Sequence, residues 1–267
     1  MKYKGHKWLL IALCSVTLGA GAATIEKFIW DGIDSLLPHA NKVTSFSRPG
    51  TITILSSSGE IIQKLGPATQ EKLKPGRMPL LVKQAFIAAE DRRFYEHKGI
   101  DLWGISRALI RNLQQRSIQE GGSTITQQLA RTVYLNQDRT LTRKIKEITL
   151  SYKLERQLSK EKILEQYLNY VYLGSGAYGI ADAAWVYFSK TPALLSLEEA
   201  ALIAGLPPAP SLYSPLVNPD LAIRRRSTVL RRMCREGFIS KKDLKNGIRQ
   251  PLNIKPASPK YKNSLTP

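Results

Sequence analysis

The sequence predicts a mainly α-helical domain that carries one short β-hairpin and lies after one amino-terminal membrane-spanning helix. Three observations predict it. Apolar residues recur at helical spacing over most of the chain after Leu80, the one clear strand signal is confined to Thr51–Leu65, and no charged residue lies between Trp8 and Ile25. With 43% hydrophobic residues in 267, the chain has material for a sizeable core and is not of disordered composition.

The charge balance narrows the partners. Forty Lys and Arg against 21 Asp and Glu give a formal net charge of +19, which calls for an anionic partner: nucleic acid, acidic headgroups or a phosphorylated substrate. Cys14 and Cys234 are far apart and make neither a disulfide framework nor metal-ligand spacing. The three histidines, His6, His39 and His97, are too few and too scattered for a histidine zinc site.

Taken in order, the chain begins with Lys2, Lys4 and Lys7 ahead of the 18 uncharged residues Trp8–Ile25, close to the minimum for crossing a bilayer. The basic flank stays in the cytoplasm, so the rest of the chain is exported. Ala20-Gly21-Ala22 also permits a cleaved signal peptide. Either way the chain beyond about Glu26 lies outside the cytoplasm, which excludes nucleic acid. Residues 1–35 are thus a cytoplasmic tip, anchor and juxtamembrane segment. Residues 36–79 are a linker in which Thr51-Ile-Thr-Ile-Leu and Ile61-Ile-Gln-Lys-Leu flank a Ser/Gly turn. Gly66, Pro67, Pro75, Gly76 and Pro79 break the chain before the helical domain at 80–249, and 250–267, rich in Pro and Lys, is a flexible tail.

The first helix aligns Val82, Ala85, Phe86 and Ala89, and Glu90 falls on the same row. A carboxylate beside an apolar stripe has its charged form disfavoured, which makes a usable base. The plainer account is a helix end paired with Arg92 or Arg93. The next helix, with Leu102, Ile105, Leu109 and Leu113 in a row, Trp103, Ala108 and Ile110 around it and Arg107, Arg111 and Arg116 interleaved, is either core-facing or seated in a membrane interface.

Gly121-Gly122-Ser123-Thr124 then opens a helix that continues through Gln127, Gln128 and Arg131. The run is either a simple cap or a set of free N–H groups, hydroxyls and amides for an anion. Arg139, Arg143, Lys144 and Glu147 come next, on a helix whose apolar row is Leu141, Ile145, Ile148 and Tyr152. An Arg143–Glu147 pair one turn apart is worth only about 0.2 to 0.5 kcal/mol at a surface and leaves Arg139 and Lys144 unexplained. Two carboxylates in opposed environments, Glu90 near apolar groups and Glu147 among cations, fit two different roles. Further helices are Lys160–Leu173, Gly179–Phe188 and Leu197–Leu206, the last ended by Pro207-Pro208. Arg224, Arg225 and Arg226 open a final helix through Met233 as a solvated or headgroup-facing surface.

Together these motifs resemble one family, the peptidoglycan glycosyltransferases. Glu90-Asp91-Arg92-Arg93-Phe94-Tyr95 with His97 and Gly99 is similar to its first motif, and Gly121–Leu129 to its second. Arg143-Lys144-x-x-Glu147 through Ser159-Lys160 and Tyr167-Leu168-Asn169 resembles the third, Gly176–Lys190 the fourth, and Leu197–Met233 the fifth. Five motifs in order over residues 80–235 make a specific signal. At Arg131-Thr132 the family more usually shows Lys-Asn, which alters reach and geometry at a phosphate contact while keeping charge.

The resemblance implies a lysozyme-like large lobe beside a small membrane-contacting lobe, and polymerisation of lipid II on the outer side of the bacterial cytoplasmic membrane. The growing glycan on polyprenyl pyrophosphate is the donor, and a β-1,4 bond forms with inversion. It further implies Glu90 as the base, Arg139, Lys144 and Arg131 as cations for the leaving pyrophosphate, and Ser123 and Gln128 as hydrogen-bond donors. Glu147 either orients those cations or holds a divalent ion, Mg or Mn, on the pyrophosphate. Lipid II, the glycan strand, the membrane and other cell-wall synthesis proteins are the implied partners.

A transpeptidase half is not expected, because the sole Ser-x-x-Lys, Ser159–Lys162, lies inside the third motif and no Lys-Thr-Gly comes after it. The chain reads as a monofunctional polymerase or as the first part of a bifunctional one, whose preceding segment the Thr51–Leu65 hairpin also resembles. A glycan-cleaving enzyme would share the paired carboxylates but needs no cation cluster for a pyrophosphate. A degenerate scaffold would not need both Glu90 and Glu147.

Overall fold

The computed structural model describes residues 52–65, 72–73, 76–115, 121–135 and 140–256. The segments read as anchor and signal, Arg139, and the tail beyond residue 256 lie outside them. Among the described residues no helix is long and apolar enough to cross a membrane.

Strands β1 (Ile52–Leu55) and β2 (Ile61–Leu65) pair antiparallel, with Ile52 opposite Leu65, and a register shift at Ile54/Leu55. Ser56 closes the turn, accepting from Gly59 N–H and donating its own N–H to Glu60 O, and Gly59 takes the left-handed conformation (φ 83°) that the turn requires.

The rest is helical. Helix α1 spans Leu80–Glu90, α2 Leu102–Gln115, α3 Ile125–Tyr134, α4 Leu141–Gln157, α5 Lys160–Tyr170, α6 Ile180–Phe188, α7 Leu197–Ala204, α8 Pro219–Arg235 and α9 Lys241–Arg249. Hydroxyl caps explain most of the starts. Thr124, Thr140, Ser159, Ser196 and Ser240 each accept from the backbone N–H three residues on, and Ser196–Glu199 and Ser240–Asp243 complete capping boxes. Helix α9 has no apolar row strong enough to predict it, and its capping box is the local signal that marks it. Helices α5 and α7 stop short of the expected Leu173 and Leu206: Val171 and Gly205 donate the closing N–H bonds, to Tyr167 O and Ala201 O, and Val171 turns to extended backbone at ψ 133°.

Packing divides the helices into two groups. Helix α1 lies against α7 and α8, which pack on each other, while α3 packs on α4 and α5. The groups meet where the Phe86 ring of α1 stands edge-on to Tyr167 of α5, centroids 6.1 Å apart, both fully buried. Each such side chain contributes about 1.5 to 3 kcal/mol by leaving water.

Two apolar rows do not go into the core. On α4 the row starting at Leu141 and Ile145 faces out, these two being 86% and 65% exposed, and the buried face is Glu147, Leu150, Ser151 and Leu154. On α2, Leu102, Trp103, Ile105 and Ile110 are exposed and only Ala108 among the described apolar side chains is buried, so the described part of the expected row, Leu102 and Ile105, does not face the core. The tail expected from Gln250 begins as extended chain held at Lys255, whose N–H donates to Tyr187 O and whose O accepts from Ser189 Oγ.

Candidate active site

Glu90 is the last residue of α1, because Asp91 turns out of the helix at φ −157°. The carboxyl is largely buried, and burial raises its pKa above the ordinary glutamate value; the Gln128 hydrogen bond and the charges of Arg225 and Arg232 only partly offset this. Gln128 Nε2 donates to Glu90 Oε2 at 2.8 Å, and Arg225 stands 4.0 Å from Oε1. The pairing with Arg92 or Arg93 is not made. Arg93 binds Glu96 and Asp101, and Arg92 faces Glu236.

The loop after Glu90 locks three motifs together. Asp91 accepts from the Ile125 N–H at the start of α3 and from His97 Nε2, all at 3.0 Å. Gly99 N–H donates to His97 Nδ1, so the ring proton lies on Nε2, pointing at Asp91. Gly99 itself has φ 88°, accepts at its carbonyl from Thr124 Oγ1 at 2.7 Å, and rests on the backbone of Ser151 in α4. Two of the N–H groups that the sequence left free for an anion at the amino terminus of α3 are already taken: Ile125 N–H goes to Asp91 and Gln127 N–H to Thr124 Oγ1.

Behind α3 lies the cationic cluster. Glu147 is fully buried and accepts from Arg143 at 2.6 Å on one oxygen and from Lys144 at 2.5 Å on the other. Lys144 Nζ also donates to Ser123 Oγ at 3.0 Å and Gln127 Oε1 at 3.1 Å. Two more donors, Arg143 Nε and Gln127 Nε2, are buried with no acceptor among the described residues. A cluster in which donors outnumber acceptors favours an anionic oxygen ligand. Both oxygens of Glu147 are engaged by Arg143 and Lys144, the arrangement that suits orienting those cations; a divalent ion at Glu147 would have to displace one of them.

A cleft of about 480 Å³ joins these parts. Glu90, Ser123, Gln128 and Arg131 all line it, while Glu147 lies out of the lining, connected through Lys144 and Ser123. Arg139 is outside the described residues. Gln128, expected among donors to a leaving group, directs one amide hydrogen at Glu90 instead.

The opposite wall comes from α8 and corrects the reading of its arginines. Arg225 and Arg232 line the cleft with Arg235, and Arg232 donates to Ala89 O at the end of α1. Arg225 also donates to Gly205 O and lies over the Tyr213 ring. Arg226 is buried on another face, donating to Gln250 O, and of the three only Arg224 is exposed. Three consecutive helical residues span about 200° of the helix, so they cannot share a solvated face.

The chain is similar to known proteins over most of its length. The transglycosylase family model matches residues 58–234. Penicillin-binding protein 1A of Neisseria flavescens is 45% identical over 217 residues, 81% of this chain and 27% of that protein. Penicillin-binding protein 1A of Aquifex aeolicus is 44% identical over 228 residues, 85% of this chain and 31% of its own length. The chain thus spans less than a third of these relatives. A crystal structure of penicillin-binding protein 1A from Haemophilus influenzae aligns over 80% of this chain and 22% of that one, at 24% identity and a TM-score of 0.46.

Proposed function

Since this chain belongs to the transglycosylase family, we propose that it is a peptidoglycan glycosyltransferase that polymerises lipid II on the outer face of the bacterial cytoplasmic membrane. The observation that carries the reading is a buried glutamate of raised pKa opening on an arginine-lined cleft, with a donor-rich lysine cluster one helix away.

Glu90 takes the proton from the 4-hydroxyl of the incoming lipid II sugar as its oxygen bonds to the donor's anomeric carbon. The bond from that carbon to the polyprenyl pyrophosphate breaks with inversion. The negative charge that develops on the leaving group is met by Lys144, Arg131 and Arg139, with Ser123 as hydrogen-bond donor. Glu147 holds Lys144 and Arg143 in place from behind. No step is assigned to a metal ion.

The fold we infer is a lysozyme-like lobe beside a smaller membrane-contacting one. Uncovered Leu102, Trp103, Ile105 and Ile110 on one face of α2 support contact with lipid, in line with a net charge of +19 near anionic headgroups. Trp8–Ile25 would anchor the chain in a single pass. A second reading, the amino-terminal part of a bifunctional enzyme, is favoured by relatives of which the chain spans under a third. In either case other cell-wall synthesis proteins are the expected partners.

The test is incubation of the purified chain with labelled lipid II, with and without moenomycin, an inhibitor of the family. Moenomycin-sensitive glycan polymer is the expected result. Absence of polymer from folded protein in lipid or detergent would overturn the assignment.

A further inference from the structure

Tyr167 has no part in the chemistry above, yet its hydroxyl is placed next to it. The side chain is 1% exposed, its ring is held by Phe86, and its O–H donates to Gln128 Oε1 at 3.1 Å. Gln128 in turn donates Nε2–H to Glu90 at 2.8 Å. A primary amide is nearly symmetric in shape, so packing alone does not decide which end meets the carboxylate. Hydrogen bonding decides it. With Tyr167 donating, the oxygen end is taken and the amide must offer N–H to Glu90. A flipped amide would aim its oxygen at the carboxylate and leave the buried phenol proton without an acceptor.

We propose that Tyr167 is the positioning residue for Glu90, acting through Gln128: it fixes the orientation of the amide so that a donor, never an acceptor, faces the acid. The inference rests on the reading of Glu90 as the base. Its consequence is directional. A donor stabilises the ionised carboxylate, whereas an amide free to flip can accept from a protonated one and so favours the proton.

The other groups facing Glu90 are Arg225 and Arg232 from α8 and the neighbouring Asp91, while Arg131 is a charge near Tyr167. Among the described residues, Glu90 and Tyr167 are the hydrogen-bond partners of the Gln128 amide, so removing the phenol oxygen leaves the electrostatic frame in place.

The test is Tyr167→Phe in the full chain, read two ways. The rate of lipid II polymerisation against pH should show its acid limb moved upward by roughly half to one pH unit, with the plateau rate and the KM for lipid II within about threefold of wild type. Carbon-detected NMR of chain labelled at the glutamate carboxyl carbons, with Glu90 assigned from Glu90→Gln, should show the same upward shift without any need for turnover. In a Gln128→Leu background, Tyr167→Phe should cause no further shift. A rate lowered equally at every pH, with the carboxyl titration unmoved, would mean a merely structural tyrosine and overturn the inference. If wild type makes no polymer but the carboxyl shift appears, the functional reading fails while the orienting contact stands.

Discussion

The Gln128 amide stands between Glu90 and Tyr167, donating to the acid at 2.8 Å and accepting from the phenol at 3.1 Å. A buried carboxyl is thereby supplied with one neutral donor, and the Arg225 guanidinium stands 4.0 Å from it. That balance leaves its pKa raised where a close ion pair would have lowered it.

Glu90→Gln should therefore abolish polymer formation, a loss of at least about a thousandfold, with far-UV circular dichroism unchanged. A variant that keeps more than a tenth of wild-type turnover would remove Glu90 from the role of base.

The same burial has a signature in stability. A carboxyl whose folded pKa exceeds its unfolded value of 4.5 contributes most favourably below 4.5, and that contribution is lost as pH rises through the raised value. Above the raised value the buried charge is a net cost, which glutamine removes. The thermal midpoint of Glu90→Gln should therefore gain on that of wild type as pH rises above 4.5, and parallel curves would contradict the burial.

Glu147 and Lys144 separate structure from rate. Glu147→Ala strands Arg143 and Lys144 without their shared buried acceptor and should cost about 3 to 5 kcal/mol in urea unfolding. Lys144→Ala keeps the Arg143 contact, so it should fold normally while losing about a hundredfold or more in rate. Unchanged kinetics for Lys144→Ala would move the pyrophosphate site elsewhere.

Gly99→Ala tests the junction between motifs. An added Cβ meets the Ser151 backbone at 3.0 Å and forces a non-glycine residue to φ 88°. The expected loss is about 1 to 3 kcal/mol by chemical denaturation, with reduced activity because the loop after Glu90 must shift. Full stability would show that this contact yields easily.

How much of the fold and site was readable in the residues depends on the kind of signal each carried. Glu90 was legible because an acid on the row of Val82 and Phe86 breaks a binary pattern; Lys144 was legible as part of a cation cluster but not as a second partner of Glu147, whose two oxygens take both it and Arg143. Capping residues marked most helix starts, since a hydroxyl three residues ahead of an N–H acts locally. Partners contributed from distant sequence were not legible. Arg225 and Arg232 meet Glu90 and Ala89 across more than a hundred residues, and nothing local distinguishes them from Arg224. The apolar rows of α2 and α4 left their surroundings open for a physical reason: periodicity reports which residues share a face, and not whether protein, lipid or water covers it.

Gln127 and Gln128 are consecutive, and one holds Lys144 while the other holds Glu90. The rotation of about 100° between neighbouring helical residues thus meters the separation of Glu90, the proposed base, from Lys144, the proposed leaving-group cation. With α3 also pinned at its first turn by Asp91 and Thr124, a single residue inserted or deleted between Thr124 and Gln128 would swing one contact out of reach. Sequences that keep these contacts should therefore align across residues 124–128 without gaps, and length variation falls outside that turn.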